Sequence, residues 1–269
     1  MGTHIGVKEI KLMLFPIWHN EWWFITSYAG LLLLAPYLNG LAHSFNRRTY
    51  TSFLLTLIGM LTIYSWKNDI FHVGSGYSLL WFIVLYYIGG YIGRYNISFS
   101  RKYLFLGYIC FSLLTWSLNI GAKTPKWYLY DYNAPLVLAS SLCLFLLFKN
   151  IRIESPCAAV WISRVAPLML GVYLIHEHPF IRPLVWTQIV KAPQFYDSPW
   201  FLLHFLISTT AVFLGAACIE WGRQRLFQWL GQHMPEWIYQ RFFFARDWVF
   251  AVASRAVEYM TKMGNGRSL

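Results

Sequence analysis

Seven stretches of this chain approach the ~20 consecutive apolar residues that an α-helix needs to cross the hydrocarbon core of a bilayer, and that recurrence leaves few folds open. They run Trp23–Leu41, Phe53–Trp66, Leu79–Ile92, Tyr103–Ile120, Pro135–Phe148, Ala158–Ile175 and Trp200–Ile219. A soluble core of this length cannot absorb them, because only 12% of the 269 residues are charged and 57% are hydrophobic, against about 25% charged in an ordinary globular domain. The 14 Trp, 18 Tyr and 21 Phe residues suit repeated membrane boundaries, where an aromatic ring sits among headgroups with its polar tip in water. The expected fold is therefore all-α: a polytopic integral membrane protein of about seven transmembrane helices, with lipids as its immediate partners.

The formal charge of +11 follows the loops and does not gather into the basic arms with interleaved aromatics that bind nucleic acid; no nucleic-acid partner is expected. One set of connections, with the C-terminal segment, carries fifteen basic residues, among them Arg47, Arg48, Arg94, Arg101 and Lys102; the alternate set carries seven, among them Lys67, Lys126 and Lys191. The positive-inside rule then puts the C-terminus in the cytoplasm and residues 1–22 outside. Three segments result: an extracytoplasmic 1–22, a membrane domain 23–222 and a cytoplasmic tail 223–269. The tail alternates aromatics and arginines at helical spacing, as an amphipathic helix in the headgroup layer would, with Pro235 a break in it. Cys110, Cys143, Cys157 and Cys218 are widely spaced and read as small buried hydrophobes, neither disulfides nor metal ligands.

The densest chemistry is His176-Glu177-His178-Pro179, at the outer end of the sixth apolar run after Gly171-Val172-Tyr173-Leu174-Ile175. Two imidazoles and a carboxylate at a membrane boundary suit general acid/base work, or cap a helix and meet interfacial water. Metal binding would need a further His or Cys pair, and none is evident. Gly89-Gly90-Tyr91-Ile92-Gly93-Arg94 holds a GxxxG pattern that lets helices approach, and Arg94 has the fork geometry to hold a phosphate. Asp131-Tyr132-Asn133-Ala134-Pro135 reads as a helix start, with Pro135 in the first turn and Asn133 near the N-cap. His204 lies in an apolar run, where an ionisable group is a functional lead or a hydrogen-bonded packing residue.

Four phrases then carry a resemblance. WWFITSYAGLLLLAPYLN (22–39), WFIVLYYIGGYIGRY (81–95), YNAPLVLASSLCLFLLF (132–148) and GVYLIHEHPFIR (171–182) resemble the membrane acyltransferase-3 family in order and spacing, across roughly residues 12–230. The resemblance implies an O-acetyltransferase of the bacterial inner membrane, moving an acetyl or other acyl group from acetyl-CoA, or another acyl-CoA, to a hydroxyl. The implied acceptor is a surface polysaccharide such as lipopolysaccharide O-antigen, or its lipid-linked precursor. It further implies that His176 and His178 stand in the catalytic region, with Tyr173, Arg182, Arg94 and His19 as substrate-binding candidates. Family members resembling this chain keep an Arg or Lys and a His in a first transmembrane helix that has no counterpart here, so this chain is expected to begin just before the family's fourth span. Two rival readings follow: a non-catalytic remnant, and a transporter or flippase of lipid-linked sugars, for which the hydropathy shows no internal repeat.

Overall fold

The computed structural model describes residues 22–120 and 126–233. The predicted segment 1–22, apart from Trp22, and the predicted amphipathic tail beyond His233 lie outside the described residues, as does His19. The described residues are helical, without strands, and divide into two compact units, one spanning Trp23–Arg152 and the other comprising Trp22 and residues 153–233.

In the first unit, α1 (Trp23–Ser44) is followed by α2 (Arg47–Ile58), whose N-cap Asn46 accepts a hydrogen bond from the Thr49 amide at 2.9 Å; α2 runs on as a π-helix over Gly59–Tyr64. Ser78 caps α3 (Leu79–Arg94) in the same way, satisfying an amide that would otherwise be orphaned at the helix start. α4 (Arg101–Ser117) and α5 (Pro135–Lys149) pack side by side. Arg101 clamps the far end of α5 by donating from Nε and Nη2 to the Asn150 carbonyl at 3.1 and 2.7 Å. The core of the unit is built on Tyr50, Val73, Trp81, Val84 and Tyr87, and Tyr50 donates its hydroxyl proton to the Tyr87 carbonyl at 3.0 Å.

A tight loop joins α2 to α3. Asp69 organises it, its carboxylate accepting the amides of Val73 at 2.6 Å and Gly74 at 3.0 Å. Asp69, His72 and Ser75 adopt left-handed backbone conformations, and Gly76 stands at φ +90° where a Cβ would collide with Tyr132. That position therefore needs glycine.

In the second unit Ser155 caps α6 (Pro156–Val165). A 3₁₀ turn, Ala166–Leu168, leads into α7 (Met169–His176). The chain breaks at Glu177–Phe180 and resumes as α8 (Ile181–Pro183), which continues as a π-helix over Leu184–Ile189. α9 (Phe201–His233) closes the unit.

All seven apolar runs fall on helices, but among the described residues four helical stretches are both long and apolar enough to cross a bilayer: Trp23–Ser44, Trp127–Lys149, Pro156–His176 and Phe201–His233. α3 is apolar with 16 residues, about 24 Å of helix, short of the ~30 Å core. Large apolar side chains stand outward on these helices, Leu33 at 72% exposure among them, which marks lipid as their solvent.

Three expectations change. The seventh helix runs beyond the apolar stretch Trp200–Ile219 to His233, because charges alone do not stop a helix; Glu220, Arg223 and Gln224 bond one another along its face. Gly89 and Gly93 have nothing within 4 Å of where a Cβ would stand, and Gly90 instead makes the close approach, to the Tyr50 hydroxyl. Cys110, Cys157 and Cys218 are exposed, Cys143 is half-buried against Gly107 of the neighbouring helix, and all four are unpaired; the three exposed ones sit on outward faces.

Candidate functional site

The candidate site is built by the C-terminal end of α7 and the break that follows. His176 closes α7, and its Nδ1 lies 2.7 Å from the Val172 carbonyl one turn back. A carbonyl only accepts, so Nδ1 carries the hydrogen and Nε2 is left as the nitrogen that can take up a proton. Nε2 faces Glu177 Oε1 at 3.6 Å, and Glu177 Oε2 in turn meets Arg182 Nη1 at 3.2 Å. The sequence-predicted His176, Glu177 and Arg182 are thus brought together by two charge contacts, a set termed the relay. Tyr173 sets its ring edge-on to His176. His176 and Glu177 are partly exposed and Arg182 largely so, leaving the relay open to a ligand.

His178 is arranged differently. Its Nδ1 accepts the Phe180 amide at 3.3 Å, and its ring packs against Trp22 and Phe180. The His178 carbonyl accepts the amides of Ile181 and Arg182 at 2.9 and 2.8 Å. His178 therefore shapes the break that aims the relay.

Sequence reasoning missed a second polar cluster in the same unit. Glu220 of α9 is buried at 4% exposure, and Arg223 donates to both its oxygens, at 2.7 and 2.6 Å. Gln224 adds a third bond at 2.9 Å. The carboxylate lies directly against Gly171, where a Cβ would overlap Glu220 Cγ, Cδ and Oε2. The glycine that opens GVYLIHEHPFIR is thus the seat of a buried carboxylate. Its signal in sequence was Glu220 at the edge of an apolar run with Arg and Gln at i+3 and i+4.

Other predicted residues have structural partners. Arg94 donates from Nη1 to the Ala42 carbonyl at 2.7 Å in the last turn of α1, with its guanidinium over Tyr95. His204 stacks on Phe195 at 3.7 Å and bonds the Val190 carbonyl at 2.9 Å, the packing histidine of the two expectations. Asn133 stands next to the N-cap as expected, Ala134 holding that position, and its Nδ2 reaches the Leu61 carbonyl at 3.1 Å. The reason is local, because the π-helix over Gly59–Tyr64 leaves that carbonyl in need of a donor. No three His, Cys, Asp or Glu side chains converge as a metal-ligand set among the described residues.

Helices sized for lipid, with a histidine, a carboxylate and an arginine in contact at a helix break, mark a helical membrane protein. The family model described as an acyltransferase domain (acyltransferase 3) matches residues 4–221, and the chain belongs to that family. No curated protein and no solved structure matches it.

Proposed function

We propose that this chain is an O-acetyltransferase of the bacterial cytoplasmic membrane, taking an acetyl or other acyl group from acetyl-CoA or a related acyl-CoA and passing it to a hydroxyl of a cell-surface polysaccharide, such as O-antigen, or of its lipid-linked precursor. Family membership supports acyl transfer, and the observation that carries the reaction to a residue is the His176 Nδ1 contact with Val172, which leaves Nε2, beside Glu177, as the ring nitrogen able to act as a base. In the proposed step Nε2 takes the proton of the acceptor hydroxyl as its oxygen attacks the thioester carbonyl. The carbon–sulfur bond then breaks, an ester forms, and the proton returns to the departing CoA thiolate. Glu177 would face the imidazolium while it lasts, and Arg182 is placed to answer negative charge developing on the carbonyl oxygen or carried by a substrate phosphate.

Tyr173 would border the acceptor, His178 would hold the turn, and Arg94 and His19 would bind substrate phosphate or sugar groups in this reading. The C-terminus is cytoplasmic, as the basic residues favour, and the shorter helices complete seven crossings with local thinning of the bilayer. The test is the O-acetyl content of surface polysaccharide, by NMR, in the source strain with and without this gene. Loss of an O-acetyl signal, restored by the gene and not by a His176→Ala version, is expected. An unchanged spectrum overturns the reading in favour of a non-catalytic chain or a transporter.

A further inference from the structure

Contacts along α9 in the second unit bear on the depth of His176 in the bilayer. Gly171 stands against Glu220 and the Pro167 carbonyl against Gln224, so α6–α7 and α9 run antiparallel, four residues down one for four up the other. Beyond the break the pairing persists, with the Val190 carbonyl on His204. From Glu220 to His204 is about 24 Å of helix, and the chain from Gly171 through the break to Val190 accompanies it all the way. The region 156–190 is therefore one broken helical column alongside α9.

The apolar run 158–175 is centred opposite Gln224, whereas the charge-free part of α9, 201–219, is centred near residue 210. The two centres differ in depth by roughly 21 Å, so one ~30 Å hydrocarbon layer cannot be centred on both. Centred on 158–175 it would enclose Arg164, Glu220, Arg223 and Arg225. Centred on 201–219 it sets those four at or beyond one boundary, where arginines reach the headgroups, and encloses Glu177 and Arg182, already paired, with Lys191 nearer the opposite boundary. The second placement leaves one charge fewer in lipid, at the cost of setting the exposed Val160, Trp161 and Ile162 beyond the layer's boundary. It puts the break, opposite about residue 213 of α9, well inside the bilayer rather than at its edge. Non-helical backbone at that depth persists only where protein covers it or water reaches it, and ionisable groups there mark substrate sites.

We propose that the break at Glu177–Phe180 is an intramembrane binding site for the sugar head group of a lipid-anchored acceptor, an inference that rests on the acyltransferase reading for its ligand but not for its depth. Arg182 matches the phosphate that joins sugar to lipid. Phe180 and Leu184, exposed at 52% and 44%, offer the apolar flank along which a lipid chain enters sideways. A free polysaccharide would have to shed its water to reach the same place.

Depth is tested with nitroxide labels on Phe180→Cys and, separately, Leu170→Cys, in the full chain with its four native cysteines changed to serine, reconstituted in liposomes. Power-saturation EPR is expected to find the label at 180 near the bilayer centre, reached by oxygen and shielded from a water-soluble nickel chelate, and the label at 170 near a boundary. The reverse order overturns the proposal whether or not the protein transfers acyl groups. The ligand is tested with a fluorophore on Phe180→Cys, adding an oligosaccharide linked to polyprenyl diphosphate in the vesicles or the same oligosaccharide free in solution. A spectral shift with the lipid-linked form alone is expected, and abolished by Arg182→Ala. A shift with the free form, or with neither, overturns the lipid-anchored acceptor, while the polysaccharide O-acetyl measurement separately decides the acyltransferase reading.

Discussion

At Gly171 the absence of a side chain decides whether α7 and α9 can meet, because the Glu220 carboxylate occupies the space a methyl group would fill. Gly171→Ala must push apart a buried ion pair or the helices themselves, a change of the overpacking kind that costs about 1–3 kcal/mol. Its thermal unfolding midpoint in detergent is expected to fall, and Glu220→Ala in the same chain to restore part of the loss by vacating the site. Two neighbouring histidines should separate by function. His176 has its tautomer set by Val172 and its second nitrogen beside Glu177, so His176→Ala should lower acyl transfer about 10²–10⁴-fold, the range for a lost general base, with little change in stability. His178 bonds the turn and packs on Trp22, so His178→Ala should lower the unfolding midpoint and reduce transfer less. Equal losses from both, measured as O-acetyl formed per folded protein, would contradict this division of labour.

Among the elements, the π-helix over Gly59–Tyr64 depends on a distant residue. Its Leu61 carbonyl takes a hydrogen from Asn133, which is buried at 1% exposure just before α5. Asn133 Oδ1 and Thr62 Oγ1 are themselves buried without hydrogen-bond partners among the described residues, a cost this arrangement carries already. Asn133→Asp keeps the shape but, when ionised, has no donor for Leu61 and buries a charge. It should destabilise the first unit by more than Asn133→Ala, itself expected near 1–3 kcal/mol for the orphaned carbonyl. Thermal unfolding of the two variants at neutral pH ranks them, and the opposite order would remove Asn133 as the support of the π-helix.

For the molecule as a whole, length and charge set the relation to the bilayer. α9, with 33 residues, is about 50 Å long and exceeds the ~30 Å hydrocarbon layer, so part of it must stand in the headgroup region or beyond. The arginines and glutamine after residue 220 make its C-terminal end the natural part to do so. A fluorescent protein that folds only in the cytoplasm, fused after Leu269, is expected to be bright, and alkaline phosphatase fused there to be inactive. The converse pair of results would reverse the orientation assigned from the basic residues.

Much of the architecture was legible in the chain, because a bilayer forces backbone polar groups to bond within each segment and so turns every long apolar run into a helix. Pro135 in a first turn is local and was read directly, whereas the equally local caps at Asn46, Ser78 and Ser155 emerge from the structure. GVYLIHEHPFIR stood out by its residue types, and His176, Glu177 and Arg182 do meet. What hydropathy could not give was register. The partnership of Gly171 with Glu220, the reach of Asn133 to Leu61 and the uninterrupted run of α9 past its charges join residues far apart in the chain or cross an apparent boundary. Apolar periodicity says which segments seek lipid, but only tertiary packing decides how far one helix slides along another, and hence at what depth the polar site is held.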